Sequence, residues 1–214
     1  MTPATTNTWT HAWANRRFRV AFFVTLAILI ATLSGFRVFL DFVELRRGVV
    51  LNDPVLSLIP PADLTWLTFT LIYGGLASAV VVLSRQPDLL LRTVQAYIVM
   101  IFMRVVFMYA TPLDPPQGSI PLGDPLVEFF GSSGVVLTRD LFFSGHTATL
   151  VLLGLGIPGR RWRAALFAAA GTVALCLLWQ HVHYTIDVLA APLAAYSSFR
   201  IAGFPAFRRL GTIP

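Results

Sequence analysis

Six apolar runs, each close to the length of a bilayer crossing, leave this chain few ways to fold. They lie at about 20–40, 64–83, 94–110, 135–157, 164–179 and 184–201, where roughly 17–25 residues are needed to cross the hydrocarbon. The expected fold is all-α: a polytopic membrane protein with a six-transmembrane-helix bundle over residues 18–204 and short tails at 1–17 and 205–214. Of the 214 residues 56% are hydrophobic and 12% charged, and a soluble domain of this length would need far more polar surface to cover its core. The connecting segments are brief, and the longest, about 111–134, is rich in Pro and Gly.

The formal charge of +6 comes from arginine, with no lysine in the chain. Its placement matters more than its sum. Arg16, Arg17 and Arg19, then Arg85 and Arg92, then Arg160, Arg161 and Arg163, then Arg200, Arg208 and Arg209 fall at every second boundary. The positive-inside rule makes those boundaries, and both termini, cytoplasmic. The opposite face carries Asp53, Asp63, Asp114, Asp124 and Glu128 against Arg46, Arg47 and Arg139. Arginines that flank spans form no single basic patch, so nucleic acid is not an expected partner. The first run is too long for a signal-peptide core and no small-x-small site closes it. Cys176 stands alone inside the fifth run and forms no internal disulfide. All-arginine usage and small loops fit a bacterial inner (plasma) membrane.

Two histidines and two carboxylates interrupt the apolar sequence, in Asp140-Leu-Phe-Phe-Ser144-Gly145-His146-Thr147 and in His183-Tyr184-Thr185-Ile186-Asp187. Ionisable groups at such depth are costly and usually functional. On a helix His183 and Asp187 share a face, where the carboxylate holds one ring nitrogen as N–H and leaves the other free to attack. His146 then carries the proton. These parts suit phosphoryl transfer through a phosphohistidine, with no metal or cofactor required. His146 in the outer half of the fourth run and His183 at the outer start of the sixth are expected on one side of the membrane, facing the periplasm or exterior.

The neighbours have readings too. Gly145 admits a backbone or phosphate oxygen, and Ser144 supplies a hydroxyl. Asp140 either orients and charges His146 or caps the outer end of the fourth helix. Phosphate binding calls for a fixed guanidinium. Arg104 lies about two turns, or about 9 Å, inside the third run; Arg139 comes second and is equally readable as a solvated anchor. Tyr184 joins Arg104, Arg139, Ser144 and Gly145 among the candidate substrate-binding residues. His181 is expected at the membrane interface, and His11 is taken as uninvolved.

These residues carry a family pattern. The chain resembles the sphingomyelin synthase family, membrane enzymes related to the PAP2-like lipid phosphate phosphatases. That family's third signature, Cys-Gly-Asp-x-x-x-Ser-Gly-His-Thr, stands here from Thr138 to Thr147 with Thr138-Arg139 in place of Cys-Gly. The fourth, His-Tyr-Thr-x-Asp-Val, is intact from His183 to Val188. The stretch from Arg104 to Leu113 is similar to the second signature, and Leu51-Asn52-Asp53-Pro54 echoes the first. The resemblance covers about residues 51–196. It implies six spans, cytoplasmic ends, and a catalytic triad of His146, His183 and Asp187. Val182 stands where an acidic residue often precedes the fourth signature, and Pro192 where an aromatic is common, so the donor headgroup is not carried over.

The expected function is a lipid phosphotransferase at the outer leaflet. It moves a phospho-headgroup from a phospholipid donor to a lipid hydroxyl of the ceramide or diacylglycerol type, with the bilayer as its setting and a homo-oligomer left open. The same parts with water as acceptor make a lipid phosphate phosphatase or phospholipase C-like hydrolase. Against that stands the lack of a Lys-x6-Arg-Pro pattern and of a Ser-Arg pair before the last histidine. A third reading, from another class, is a lipid or ion transporter with a His/Asp proton relay, although no inverted repeat is apparent.

Overall fold

The computed structural model describes residues 9–123 and 137–203. The start of the fourth run, Asp124, Glu128, Arg208, Arg209 and the 205–214 tail lie outside the described residues. The chain is helical, in seven α-helices among the described residues: α1 Trp9–Ala14, α2 Arg16–Leu45, α3 Thr65–Leu83, α4 Pro87–Ala110, α5 Gly145–Gly156, α6 Arg160–Trp179 and α7 Thr185–Ala202. Local chemistry sets several boundaries. Asn15 caps α2 by accepting the Arg17 amide at 2.8 Å, and Pro87 opens α4 where its missing N–H costs nothing.

Helices α2, α3, α4 and α6 are long and apolar enough to cross a membrane. Large apolar side chains remain exposed along them, among them Phe23, Ile30, Val81, Phe102, Val106 and Leu175. Water would not tolerate such a surface at this scale, whereas acyl chains do. The chain is therefore an integral membrane protein.

The fourth apolar run departs from its expected length. Among the described residues of this run the helix is Gly145–Gly156, 12 residues, about 18 Å of rise against a hydrocarbon core of about 30 Å. The residues from 137 to 144 form a non-helical lead-in. Phe142 and Phe143 have φ of 64° and 38°, values no continuing α-helix permits. Helix α7, at 18 residues with Pro192 inside it, is also short.

Helix α5 lies at the centre. Leu150 and Leu153 pack with Phe69, Ile72, Leu166 and Val173 of α3 and α6. Ala148 and Leu152 face Ala96 and Met100 of α4 and Ala191, Ala194 and Ala195 of α7. Small residues let these backbones approach, as helices do in lipid. A Cβ at Gly154 would fall 2.6 Å from the Phe167 ring. Helix α2 packs on α4 at the periphery.

Because successive long helices alternate in direction, the C-terminal ends of α2, α4 and α6 and the N-terminal ends of α3, α5 and α7 meet at one end of the bundle. The loops there are tied to each other. Gln180 accepts the Leu64 amide at 3.2 Å and donates to Thr65 Oγ1 at 2.9 Å. Val49 N donates to Pro112 O at 3.0 Å, and Asp114 N to Val49 O at 3.1 Å. The other end exposes Arg16, Arg17, Arg19, Arg85, Arg160, Arg161, Arg163 and Arg200.

Candidate active site

Helix α7 begins with a poor cap. Tyr184 holds the extended conformation of an N-cap (φ −72°, ψ 156°), yet its phenol cannot reach back to the orphan amides. Two carboxylates take them instead. Asp187, in the first turn, accepts the Tyr184 amide at 3.1 Å through Oδ2. Asp53, 132 residues upstream, accepts the Thr185 amide at 2.6 Å and the Thr185 hydroxyl at 3.0 Å. Negative charge at a helix N-terminus is favoured by the helix dipole as well.

The same Asp187 Oδ2 lies 3.2 Å from His183 Nδ1. An ionised carboxylate is an acceptor only, and with Asp187 in that form a neutral His183 ring carries its hydrogen on Nδ1 and its lone pair on Nε2. Both side chains are buried. The pairing expected from four-residue spacing is present, but by another route. His183 is not on the helix, which starts at Thr185; the carboxylate reaches back over the helix end to find it.

Helix α5 begins against this cap. Ser144, not Asp140, is its N-cap, with Oγ accepting the Thr147 amide at 3.3 Å. The capping reading of Asp140 is thereby corrected, and so is the idea of a helix joining Asp140 to His146. Ser144 N donates to the Asp187 backbone carbonyl at 3.0 Å. That single bond joins the two His-bearing segments at their backbones. His146 is the second residue of α5, half-buried, its ring edge-on to Phe69 at 6.0 Å between centroids.

The two left-handed phenylalanines before Ser144 are strained for side-chain-bearing residues and need support. Arg104 provides it from α4. Its Nη1 donates to Phe143 O at 2.9 Å, and its Nη2 forms an ion pair with Asp140. The guanidinium lies over the rings of Phe36 and Phe143, 5.7 and 5.4 Å from their centroids, and the side chain is 4% exposed. Gly145 is packed on it: a Cβ there would stand 2.7 Å from Arg104 Cζ.

Arg139 is held elsewhere. Its Nε lies 2.7 Å from Asp114 Oδ1, and its Nη1 donates to Glu44 O at 2.8 Å. Glu44 in turn accepts the amides of Thr138 and Arg139 at 3.0 and 2.9 Å. Arg139 and Glu44 thus clamp the lead-in of α5 to the end of α2. The Arg139 side chain also holds the Asp114 carboxyl below its ordinary range. Tyr184 is buried, donating to Asp114 O at 2.8 Å and accepting from Leu51 N at 3.1 Å. His181, expected at the membrane interface, is held inside the loops at this end of the bundle. It is buried, with its ring nitrogens 3.1 Å from Gln117 O and 2.9 Å from Ile59 O.

Asp53 was visible in the sequence as part of Leu51-Asn52-Asp53-Pro54, but its partner was not. Burial pushes its carboxyl up, and the hydrogen bonds from the Thr185 amide and hydroxyl and from the Val55 and Leu56 amides outweigh that, so the net direction is down. A carboxyl lowered by folding stabilises fully above its unfolded value, about pH 4, and loses that contribution as pH falls through the lower folded value. Asp53→Asn should cost about 1 kcal/mol at pH 7. Thermal unfolding followed from pH 7 to pH 3 should show a steeper acid loss for the wild type than for the variant; parallel curves would contradict the capping role.

The described chain is thus a helical integral membrane protein with a buried His–Asp pair at the end of the bundle where six helix ends and their loops converge. Residues 139–203 match the family model of the PAP2 superfamily C-terminal domain. The matched stretch contains both His-bearing segments and the Ser144–Asp187 link. It supports a PAP2-like superfamily and the phosphoryl-transfer chemistry of lipid phosphatases and phosphotransferases. No curated protein matches the chain.

Proposed function

We propose that the chain is a six-span lipid phosphotransferase of the sphingomyelin synthase type, working at the outer leaflet with both termini in the cytoplasm. The observation that carries this is the buried His183–Asp187 pair, joined to Ser144-Gly145-His146 by one backbone hydrogen bond. His183 Nε2 attacks phosphorus of a phospholipid donor. His146, entering protonated, gives its proton to the departing diacylglycerol oxygen, so the P–O bond breaks as the P–N bond forms. Neutral His146 then takes the proton of a ceramide- or diacylglycerol-type hydroxyl, whose oxygen displaces His183 from phosphorus.

The protein groups around this chemistry have distinct tasks in this reading. Asp187 fixes the His183 tautomer and favours the cationic ring of the intermediate. Arg104 places a fixed guanidinium against Gly145 and holds Asp140 beside the same turn; it is the candidate for the phosphate oxygens. Ser144, Gly145 and Tyr184 shape the floor, and Arg139 secures the lead-in segment.

The test is a trap. Purified protein mixed with phospholipid radiolabelled at phosphorus should retain label that survives alkali and is released by acid, as a phosphohistidine does, and His183→Ala should retain none. Product analysis then separates acceptors, since water releases a free phospho-headgroup and a lipid hydroxyl yields a new phospholipid. A chain that transports lipid without forming any adduct would refute the reading.

Sidedness follows from the arginines. Gly118 and Gly159 have φ of 74° and 90°, so cysteines are better placed at exposed Gln117 and Ser84. A membrane-impermeant thiol reagent should label Cys at 117 in intact cells, and Cys at 84 only after permeabilisation. The reverse pattern would put the site on the cytoplasmic leaflet.

A further inference from the structure

A connecting loop in water should be polar, and the loop after α2 is not. Val49, Val50, Leu51, Val55 and Leu58 are all exposed, Leu58 to 84%. Singly, exposed apolar residues need no explanation; five within ten residues do. Two cavities border this loop. One of about 820 Å³ is lined by Asn52, Ile59, Gln117 and His181, among others. The second, about 430 Å³, has Leu51 to Val55 as one wall and Tyr184 to Ile186 with Leu189 as the other. Leu51, Asn52, Asp53 and Tyr184 line both.

The second cavity does not stop at the loop. Ile186, Leu189, Leu193 and Tyr196 of α7 are exposed, Leu189 to 65%. Their spacing of three, four and three puts them on one helical face. On an integral membrane protein such a stripe faces acyl chains. The groove is therefore continuous with the bilayer at one end. At its other end is Tyr184, whose neighbour in the chain is His183. Sizes of this order suit a small-molecule or lipid fragment.

We infer that the groove between loop 49–58 and the first two turns of α7 is where a membrane phospholipid leaves the bilayer for the site. One acyl chain lies along Ile186 and Leu189, and the head group extends past Tyr184 toward Asn52 and Gln117. Asp53 is the carboxylate lining both cavities, so the part of the head beyond the phosphate is uncharged or cationic. That this lipid is the substrate rests on the phosphotransfer reading; its presence in the groove does not.

The probe is a phosphatidylcholine with a photoreactive diazirine in one acyl chain, in phosphatidylethanolamine/phosphatidylglycerol vesicles holding the full-length protein. Illumination and peptide mapping should find label on residues 51–55 as well as on α7. Leu189→Trp, and separately Val55→Trp from the opposite wall, should each lower labelling of 51–55 at least five-fold, with labelling of the exposed face of α3 unchanged. Each should also raise the KM for long-chain donor at least five-fold and leave kcat within two-fold. Absence of label on 51–55 in the wild type, or equal labelling in both variants, would overturn the inference. So would lost labelling with unchanged KM. A wild type that labels as expected but turns over no phospholipid would overturn the enzymatic reading and leave the groove standing.

Discussion

Replacing His183 by alanine should lower phospholipid turnover at least 10³-fold, about 4 kcal/mol of barrier, while the protein remains folded. His183 is buried, its polar contact among the described residues is at one atom, Nδ1, and the acceptor there, Asp187 Oδ2, keeps the Tyr184 amide. The change therefore removes the attacking nitrogen and leaves the Asp187 carboxylate the Tyr184 amide, with a stability cost that unfolding measurements should record beside the loss of turnover. Asp187→Asn should cost activity by another path, on the order of 10²–10⁴-fold. An amide nitrogen facing Nδ1 would favour hydrogen on Nε2 and take away the lone pair that attacks. Because the same Oδ2 position also takes the Tyr184 amide, that amide loses its acceptor, and a stability loss of about 1 kcal/mol should accompany the lost activity. The two losses are expected not to multiply in the double variant, because both act on one nucleophile. Turnover by His183→Ala within ten-fold of wild type would end the phosphohistidine mechanism.

Gly145→Ala should damage both stability and turnover, because its Cβ would fall on the Arg104 guanidinium. The Arg104 guanidinium that a Cβ would meet is the tip of a flexible side chain, and elsewhere such a tip would simply move. Here it is pinned by Phe143 O and Asp140 and enclosed between two aromatic rings. We expect a loss of about 1–3 kcal/mol in stability and at least ten-fold in turnover, as the Phe142–Phe143 turn shifts and carries Ser144 off the Asp187 carbonyl. Arg104→Gln should cost turnover at least ten-fold and leave Asp140 without its cation. Because Asp140 is 29% exposed, water softens the stability cost below the several kcal/mol of a fully buried broken pair. In a double-mutant cycle Gly145→Ala and Arg104→Ala should be non-additive by at least about 1 kcal/mol, since removing the guanidinium makes room for the methyl. Additive effects would mean that the two residues do not bear on each other, and that Arg104 acts through some other contact.

Apolar runs of membrane length and the spacing of His183 and Asp187 were legible in the sequence because both are local. Hydropathy depends on residue type alone, and four positions span one helical turn whether the histidine is inside the helix or just before it. The same locality explains where the reading stopped. The fourth run is as greasy as a span, yet at Phe142 and Phe143 it makes a left-handed turn, because Arg104 and the Asp187 carbonyl reward a non-helical backbone there. Asp140, six residues before His146, is paired with Arg104 from another helix, a contact that no local spacing announces. Arg139, equally readable as a phosphate ligand or an anchor, is bonded to Asp114 and Glu44 from two other segments.

By itself, then, the sequence determined that this is a helical membrane protein with a His–Asp pair and a second histidine suited to phosphoryl transfer, since burial cost and side-chain chemistry do not depend on the fold. Tertiary structure alone decided which charges meet. Arg104 with Asp140, Arg139 with Asp114 and Glu44, and Asp53 with Thr185 join residues 25 to 132 positions apart, and only the gathering of alternate helix ends at one end of the bundle brings them within hydrogen-bonding distance.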